Sequence, residues 1–191
     1  MVETATEPAS AHDLELVALA ATGGRAAFGE LARRHASAVR ALLRRMGAEP
    51  ALADDLAQDA FVIAFQQIGE FRGEGAFQAW VKRIAGRLYV RRLRREERFA
   101  KAMLEEDVPV GAEGRGIEAR IDLDAALQGL PDVERVVIGL TFGAGLSHQE
   151  AAAALNAPLG TVKSHVKRGL ARLRRRLVGG GAIEDEEAAH A

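Results

Sequence analysis

Apolar residues recur along this chain at three- and four-residue intervals, and no convincing strand-like alternation appears. "DLELVALAATGG" reads as a short helix closed by Gly23-Gly24. "RAAFGELARRHASAVRALLRRMG" follows, with Phe28, Leu31, Ala32, Val39, Leu42, Leu43 and Met46 on one stripe and Gly47 at its end. A third helix begins near Pro50. At about 100° per residue, Leu52, Ala53, Leu56, Ala57, Ala60, Ile63 and Ala64 form its inward side. Its outer side carries Asp54, Asp55 and Gln58 interleaved with Phe61, Val62 and Phe65. Phenylalanines among aspartates mark a second surface with a use of its own. A glycine-rich turn, "GEFRGEGAF", leads to a fourth helix from about Ala76 to Arg94-Arg95-Glu96.

"EEDVPVGAEGRG", Glu105 to Gly116, interrupts the periodicity and reads as a flexible linker. Beyond it, "IDLDAALQGL", "PDVERVVIGLTFGAG", "SHQEAAAALNA" and "PLGTVKSHVKRGLARLRRRL" form a second helical set. Pro131 suits a helix first turn, and Ser147 with Glu150 is a capping-box signature. The expected fold is all-α: two small helical domains, residues 13–100 and 119–178, joined by a flexible linker at 101–118. Residues 1–12 are expected to be a disordered N-terminus, and 179–191, with "EDEE", a disordered acidic tail.

Composition narrows the class. Of 191 residues, 48% are hydrophobic and 28% charged, which describes a globular chain and excludes a disordered one. The absence of cysteine excludes a disulfide framework and a thiolate metal site, and fits a reducing cytoplasm. No secretory signal is visible, and no apolar run reaches the ~20 residues that span a bilayer. A cytoplasmic protein without membrane insertion is expected. The net charge of −1 hides strong segregation. "KRIAGRLYVRRLRREERFAK" and the acid-free "KSHVKRGLARLRRR" are basic runs in separate helical units, a pattern that favours a polyanionic partner.

The basic runs carry candidate chemistry. Ser147–Leu177 has the layout of a helix-turn-helix: a short alanine-rich helix, the break "NAPLG", and a longer helix with a basic face. Val162, Val166, Leu170, Leu173 and Leu177 form its expected buried stripe, leaving Thr161, Lys163, Ser164 and Lys167 outward near the N-terminus. Thr161 and the first backbone N–H groups can take a phosphate, while Lys163 and Lys167 can reach phosphate or guanine acceptors. Arg172 and Arg174 to Arg176 read as phosphate-contacting or solvated charge. In the first unit, Phe71, Phe77, Trp80 and Tyr89 are mixed with Arg72, Lys82, Arg83, Arg87, Arg91 and Arg92, as single-strand binding requires. The same spacing of Phe77, Trp80, Val81 and Ile84 also suits an ordinary core.

Taken together, "DDLAQDAF", "FRGEGAFQAWVKRIA", "LPDVERVV", "LSHQEAAAAL" and "GTVKSHVKRGLARLRRRL" resemble bacterial RNA polymerase sigma factors of the extracytoplasmic function (ECF) group. The resemblance covers about Phe28–Arg98 and Leu123–Leu177 and implies sigma regions 2 and 4 without region 1 or a full region 3. It implies that Asp54, Asp55, Gln58, Asp59 and Phe61 dock on the clamp helices of core RNA polymerase. It assigns Phe71 to Phe77, with Arg72, to the loop that captures a flipped base of the single-stranded −10 element. Trp80, Lys82, Arg83, Arg87 and Arg91 then belong to the strand-melting helix. Thr161, Lys163, Ser164, His165, Lys167 and Arg168 match the helix that reads the double-stranded −35 element. An anti-sigma protein is a further implied partner, and no cofactor or catalytic group is implied.

Departures from the family pattern are specific. Arg87 and Arg91 stand where asparagine and aspartate are usual, His165 where arginine is frequent, and Gly169 where alanine is usual. They bear on promoter choice. The competing readings are a sigma mimic that binds an anti-sigma protein without initiating transcription, and a one-component helix-turn-helix repressor. The intact basic faces argue against the mimic, and the Asp/Phe helix face is unexplained by the repressor. An enzyme is disfavoured because the histidines show no ligand spacing and the aspartates face no candidate base.

Overall fold

The computed structural model describes residues 11–73, 75–95, 99, 101, 103 and 123–178. In the first unit, helix α1 spans Ala11–Ala21, α2 Arg25–Arg45, α3 Pro50–Gln66 and α4 Phe77–Leu93, with a 3₁₀ turn at Ile68–Glu70. The second unit holds α5 (Leu123–Gln128), α6 (Asp132–Ile138), α7 (His148–Leu155) and α8 (Leu159–Val178). Among the described residues there is no strand. Residues 1–10, 104–122 and 179–191 lie outside the described set, and with them most of the expected linker and both expected tails.

Helix ends follow local chemistry. Gly47 adopts φ 103°, a left-handed conformation that costs other residues energy, and closes α2. Pro50 opens α3 at its first turn, where a missing N–H is harmless. Pro131 is displaced by one position from the expected first turn: it caps α6, and its carbonyl accepts the Arg135 N–H at 3.0 Å. Ser147 and Glu150 form the reciprocal capping box of α7. That helix ends at Asn156, whose φ of 53° makes the tight turn into α8. Between α6 and α7 the chain widens into a π-helical turn, Gly139–Gly143, where the Ala144 N–H reaches the Gly139 carbonyl at 2.8 Å.

Helices α2, α3 and α4 pack around Leu31, Val39, Leu43, Ala60, Phe77 and Val81. In the second unit, Val133, Val136, Val137, Leu140, Val162 and Val166 are buried where α6 crosses α8. These are one continuous apolar cluster, because α2 and α4 lean directly on the π-helical turn and α7. A smaller cluster of Ala126, Leu127, Leu130, Ile138 and Leu173 seals the far end of α8. The start of the expected linker is likewise engaged: Met103 is buried and its carbonyl pairs with His165.

Candidate functional site

The outer face of α3 presents exposed Asp54, Asp55, Gln58 and Asp59. Asp54 lies 3.5 Å from Arg40, a solvent-exposed pair of small energetic weight. Among the described residues, Asp55, Gln58 and Asp59 have no hydrogen-bond or ion-pair partner. Phe61 does not share this face, contrary to expectation. It is 8% exposed, with its ring centroid 6.5 Å from that of Phe28. Phe61 stands four residues after Ala57 and three before Ala64, both buried, so it belongs to a broader inward stripe. Val62, 56% exposed, is the apolar group displayed beside the acids. Phe65 is half-buried and packs on Phe28 at 5.0 Å, which leaves a shallow apolar groove lined by Phe28, Phe61, Val62 and Phe65.

The aromatic loop and α4 divide in the same way. Phe77 is 0% exposed and central to a ring cluster, with centroids of His35, Phe71, Trp80 and Phe28 at 5.6, 5.8, 5.8 and 6.3 Å. Its expected place among DNA-contacting residues is therefore corrected to a core position. Tyr89 is buried as well. Phe71 and Trp80 are half-buried, 5.3 Å apart, and border a cleft of about 170 Å³ with Arg72, Gly75, Ala79 and Arg83. Arg72 and Arg91 are exposed. Lys82 is half-buried, and burial, with Arg45 nearby, pushes its pKa below the usual lysine value.

Two further α4 cations face the second unit. Arg83 donates to the Gly145 carbonyl at 3.1 Å, and Arg87 reaches Glu150 at 3.3 Å. Just past the helix, Arg94 donates to the Ala154 carbonyl at 3.4 Å. The capping bond from the Ser147 backbone N–H is the largest influence holding the Glu150 carboxyl below its ordinary pKa.

On α8, Lys163, Ser164 and Lys167 are exposed and Thr161 is half-buried. His165 is 1% exposed and cannot meet DNA as placed, which corrects its expected role. Its Nε2 pairs with the Met103 carbonyl at 3.1 Å, and Arg168 donates to its Nδ1 at 3.0 Å, an arrangement that fits the neutral Nε2–H tautomer. Burial pushes the His165 pKa down. Arg168 also lies 3.8 Å from Glu134, and Arg172 donates to the same carboxylate at 2.9 Å. Arg172 is therefore a partner of a buried acid and not the solvated or phosphate-facing charge expected from sequence.

Leu170, expected in the buried stripe, is 41% exposed. From Val162, Leu170 lies about 80° around the helix, whereas Gly169 and Leu173 lie only about 20° away. Close approach at Gly169, where a Cβ would meet Ile138 Cδ1 at 2.6 Å, centres the buried arc away from Leu170 and toward His165 and Arg172.

Comparison with known proteins fits this geometry. Residues 31–99 match Sigma-70 region 2 and residues 126–175 match Sigma-70 region 4. The ECF RNA polymerase sigma factor SigM of Mycobacterium tuberculosis is 36% identical over 86% of this chain and 84% of its own length. SigW of Bacillus subtilis, also an ECF sigma factor, is 31% identical over 81% and 91%. The structure of CnrH in complex with the cytosolic domain of CnrY superposes with a TM-score of 0.51, at 31% identity, covering 90% of this chain and 99% of that one. With both regions present in order and relatives matched along most of their length, the chain belongs to the ECF sigma factors of bacterial RNA polymerase.

Proposed function

We propose that this initiation factor divides its work among three surfaces. The observation that carries the assignment is the coexistence of an unpaired acidic face on α3 with a free basic face at the start of α8. Asp54, Asp55, Gln58 and Asp59 set register on a basic helical surface of core polymerase, with Val62 as the exposed apolar contact. Phe61 acts from beneath, holding α3 against Phe28. Phe71 and Trp80 offer ring faces to an unpaired −10 base at the mouth of their cleft, with Arg72 and Arg91 toward the strand backbone. Phe77 braces both rings from the core. Lys163, Ser164 and Lys167, with Thr161 at the helix start, face the −35 duplex.

CnrH is held by a cytosolic anti-sigma domain in the matched structure, and a protein antagonist of the same kind is proposed for this chain. Among the described residues no helix is long and apolar enough to cross a membrane, and the proposed work is beside polymerase in the cytoplasm. Exposed Lys163 and Lys167 disfavour a mimic that never meets DNA.

Run-off transcription over a genome-wide promoter pool tests the proposal: purified core polymerase should initiate from specific promoters only when this chain is added. Silence across the pool would overturn it. On a duplex selected in that way, Lys163→Ala and Lys167→Ala should each lower the slope of log affinity against log salt by about 0.9. An unchanged slope would remove these lysines from the interface.

A further inference from the structure

The seam between the two units is built for close contact. A Cβ at Gly139 would meet Met46 Cγ at 2.2 Å, and one at Gly143 would meet Leu42 Cδ1 at 2.5 Å. From the other side, a Cβ at Gly86 would lie 3.1 Å from Leu140 Cδ2. Met46 and Leu140 are fully buried at this seam. Its rim is polar: Arg45 pairs with Asp124, Gln128 donates to the Arg44 carbonyl at 3.0 Å, and Arg83, Arg87 and Arg94 reach across to the helix-turn-helix.

This contact is selective in what it covers. The acids of α3 and the lysines of α8 stay exposed, while Arg83 and Arg87 of the melting helix are taken by Gly145 and Glu150. It is also incompatible with reading both promoter elements at once. Positions named −35 and −10 lie about 25 base pairs apart, ~85 Å along B-form DNA. A compact chain of this length has a radius of gyration of only about 16 Å.

Building on the surface assignment above, we propose that the helix-turn-helix unit is an internal blocker of the −10 face. In the free chain, the Gly145 carbonyl and the Glu150 carboxylate occupy cations that otherwise meet the melted strand. Polymerase docking and −35 contact remain available to the closed form, and −10 engagement requires the units to part. Any partner that binds only the parted form draws the population toward it, and the fraction closed lowers apparent single-strand affinity.

The native chain has no cysteine, so a paired substitution is a clean lock. An ideal Cβ at Gly139 lies 3.5 Å from Met46 Cβ, within the range of about 3.5–4.5 Å that a disulfide spans. Met46→Cys with Gly139→Cys should cross-link within the free monomer. The oxidised form should then lose run-off transcription by roughly tenfold or more, with activity restored by reductant. Poor cross-linking, or equal transcription by oxidised and reduced forms, would overturn the blocker. Gly143→Leu provides the opposite perturbation, because Leu42 is the only side chain its Cβ would crowd. It should part the units and tighten binding of a labelled random-sequence single-stranded oligonucleotide by about 3- to 10-fold; unchanged affinity counts against the proposal. If the native chain initiates nowhere, the sigma assignment fails by itself, while oligonucleotide affinity of the oxidised against the reduced lock still decides whether the seam blocks.

Discussion

Phe77→Ala should lower the stability of the chain by about 3–5 kcal/mol, the cost of emptying a large aromatic site in a packed core. Phe77 has no exposed surface and touches rings from α2, the glycine-rich loop and α4 itself. Few neighbours can collapse into the space, since His35 is held by Asp13 at 2.8 Å and Phe28 is shared with Phe61 and Phe65. The loss is a large share of the roughly 5–15 kcal/mol that holds a domain together. Trp80→Ala makes the contrast, because Trp80 is half-buried and borders the cleft. It should cost less stability yet remove a stacking surface, weakening single-strand binding by about 1–3 kcal/mol. Urea unfolding and oligonucleotide titration of both variants separate the roles. A Phe77→Ala protein with a native midpoint and impaired binding would return Phe77 to the DNA-contacting set.

Arg172→Ala is expected to be nearly as damaging. Glu134 is 3% exposed at the α6–α8 crossing, and Arg172 donates to it at 2.9 Å from a position itself mostly buried. Removing one partner of a buried pair costs about 3–5 kcal/mol, because an uncompensated charge stays inside. Arg168, 3.8 Å away, offsets part of that loss. The sign of the pH effect follows from Glu134, whose pKa burial raises above 4.5 against the pull of both arginines. The native state therefore holds the proton more tightly than the unfolded chain. Stability from this group is greatest below 4.5 and is lost as pH rises through the raised native value. Without Arg172 the rise is larger, so the penalty in urea unfolding should be smaller near pH 5 than near pH 8. Restoring balance with Glu134→Gln in the same chain should recover much of the stability. Equal penalties at both pH values would show that Glu134 is not the group left unpaired.

Local chemistry made the element ends readable: Gly23 and Gly47 closing helices, Pro50 opening one, Ser147 and Glu150 capping another. These signals act within a few residues and need no knowledge of the fold. The inner stripe of α2 was legible for the same reason. Phe61 and Phe77 were harder, since both follow helical spacing that suits either a core or an outer face. Which one applies depended on Phe28, more than thirty residues away from Phe61 in sequence. On α8, the reading of Lys163, Ser164 and Lys167 as outward needed only helical periodicity. The burial of His165 and Arg172 needed Met103 and Glu134, which belong to other segments. The seam itself had no sequence signature, because Gly86, Gly139 and Gly143 look like weak points of helices until the opposing side chains are in place.

The π-helical turn at Gly139–Gly143 has a consequence for how this protein could diverge. Such a turn accommodates one residue more than an α-helical turn does. Deleting a single residue there would let α6 continue as a regular helix and rotate everything after it by about 100°. Glu150 would then swing away from α4 with no change in its own chemistry. The junction is an angular spacer, so the relative facing of the two halves can evolve by length alone, independently of the residues that read DNA.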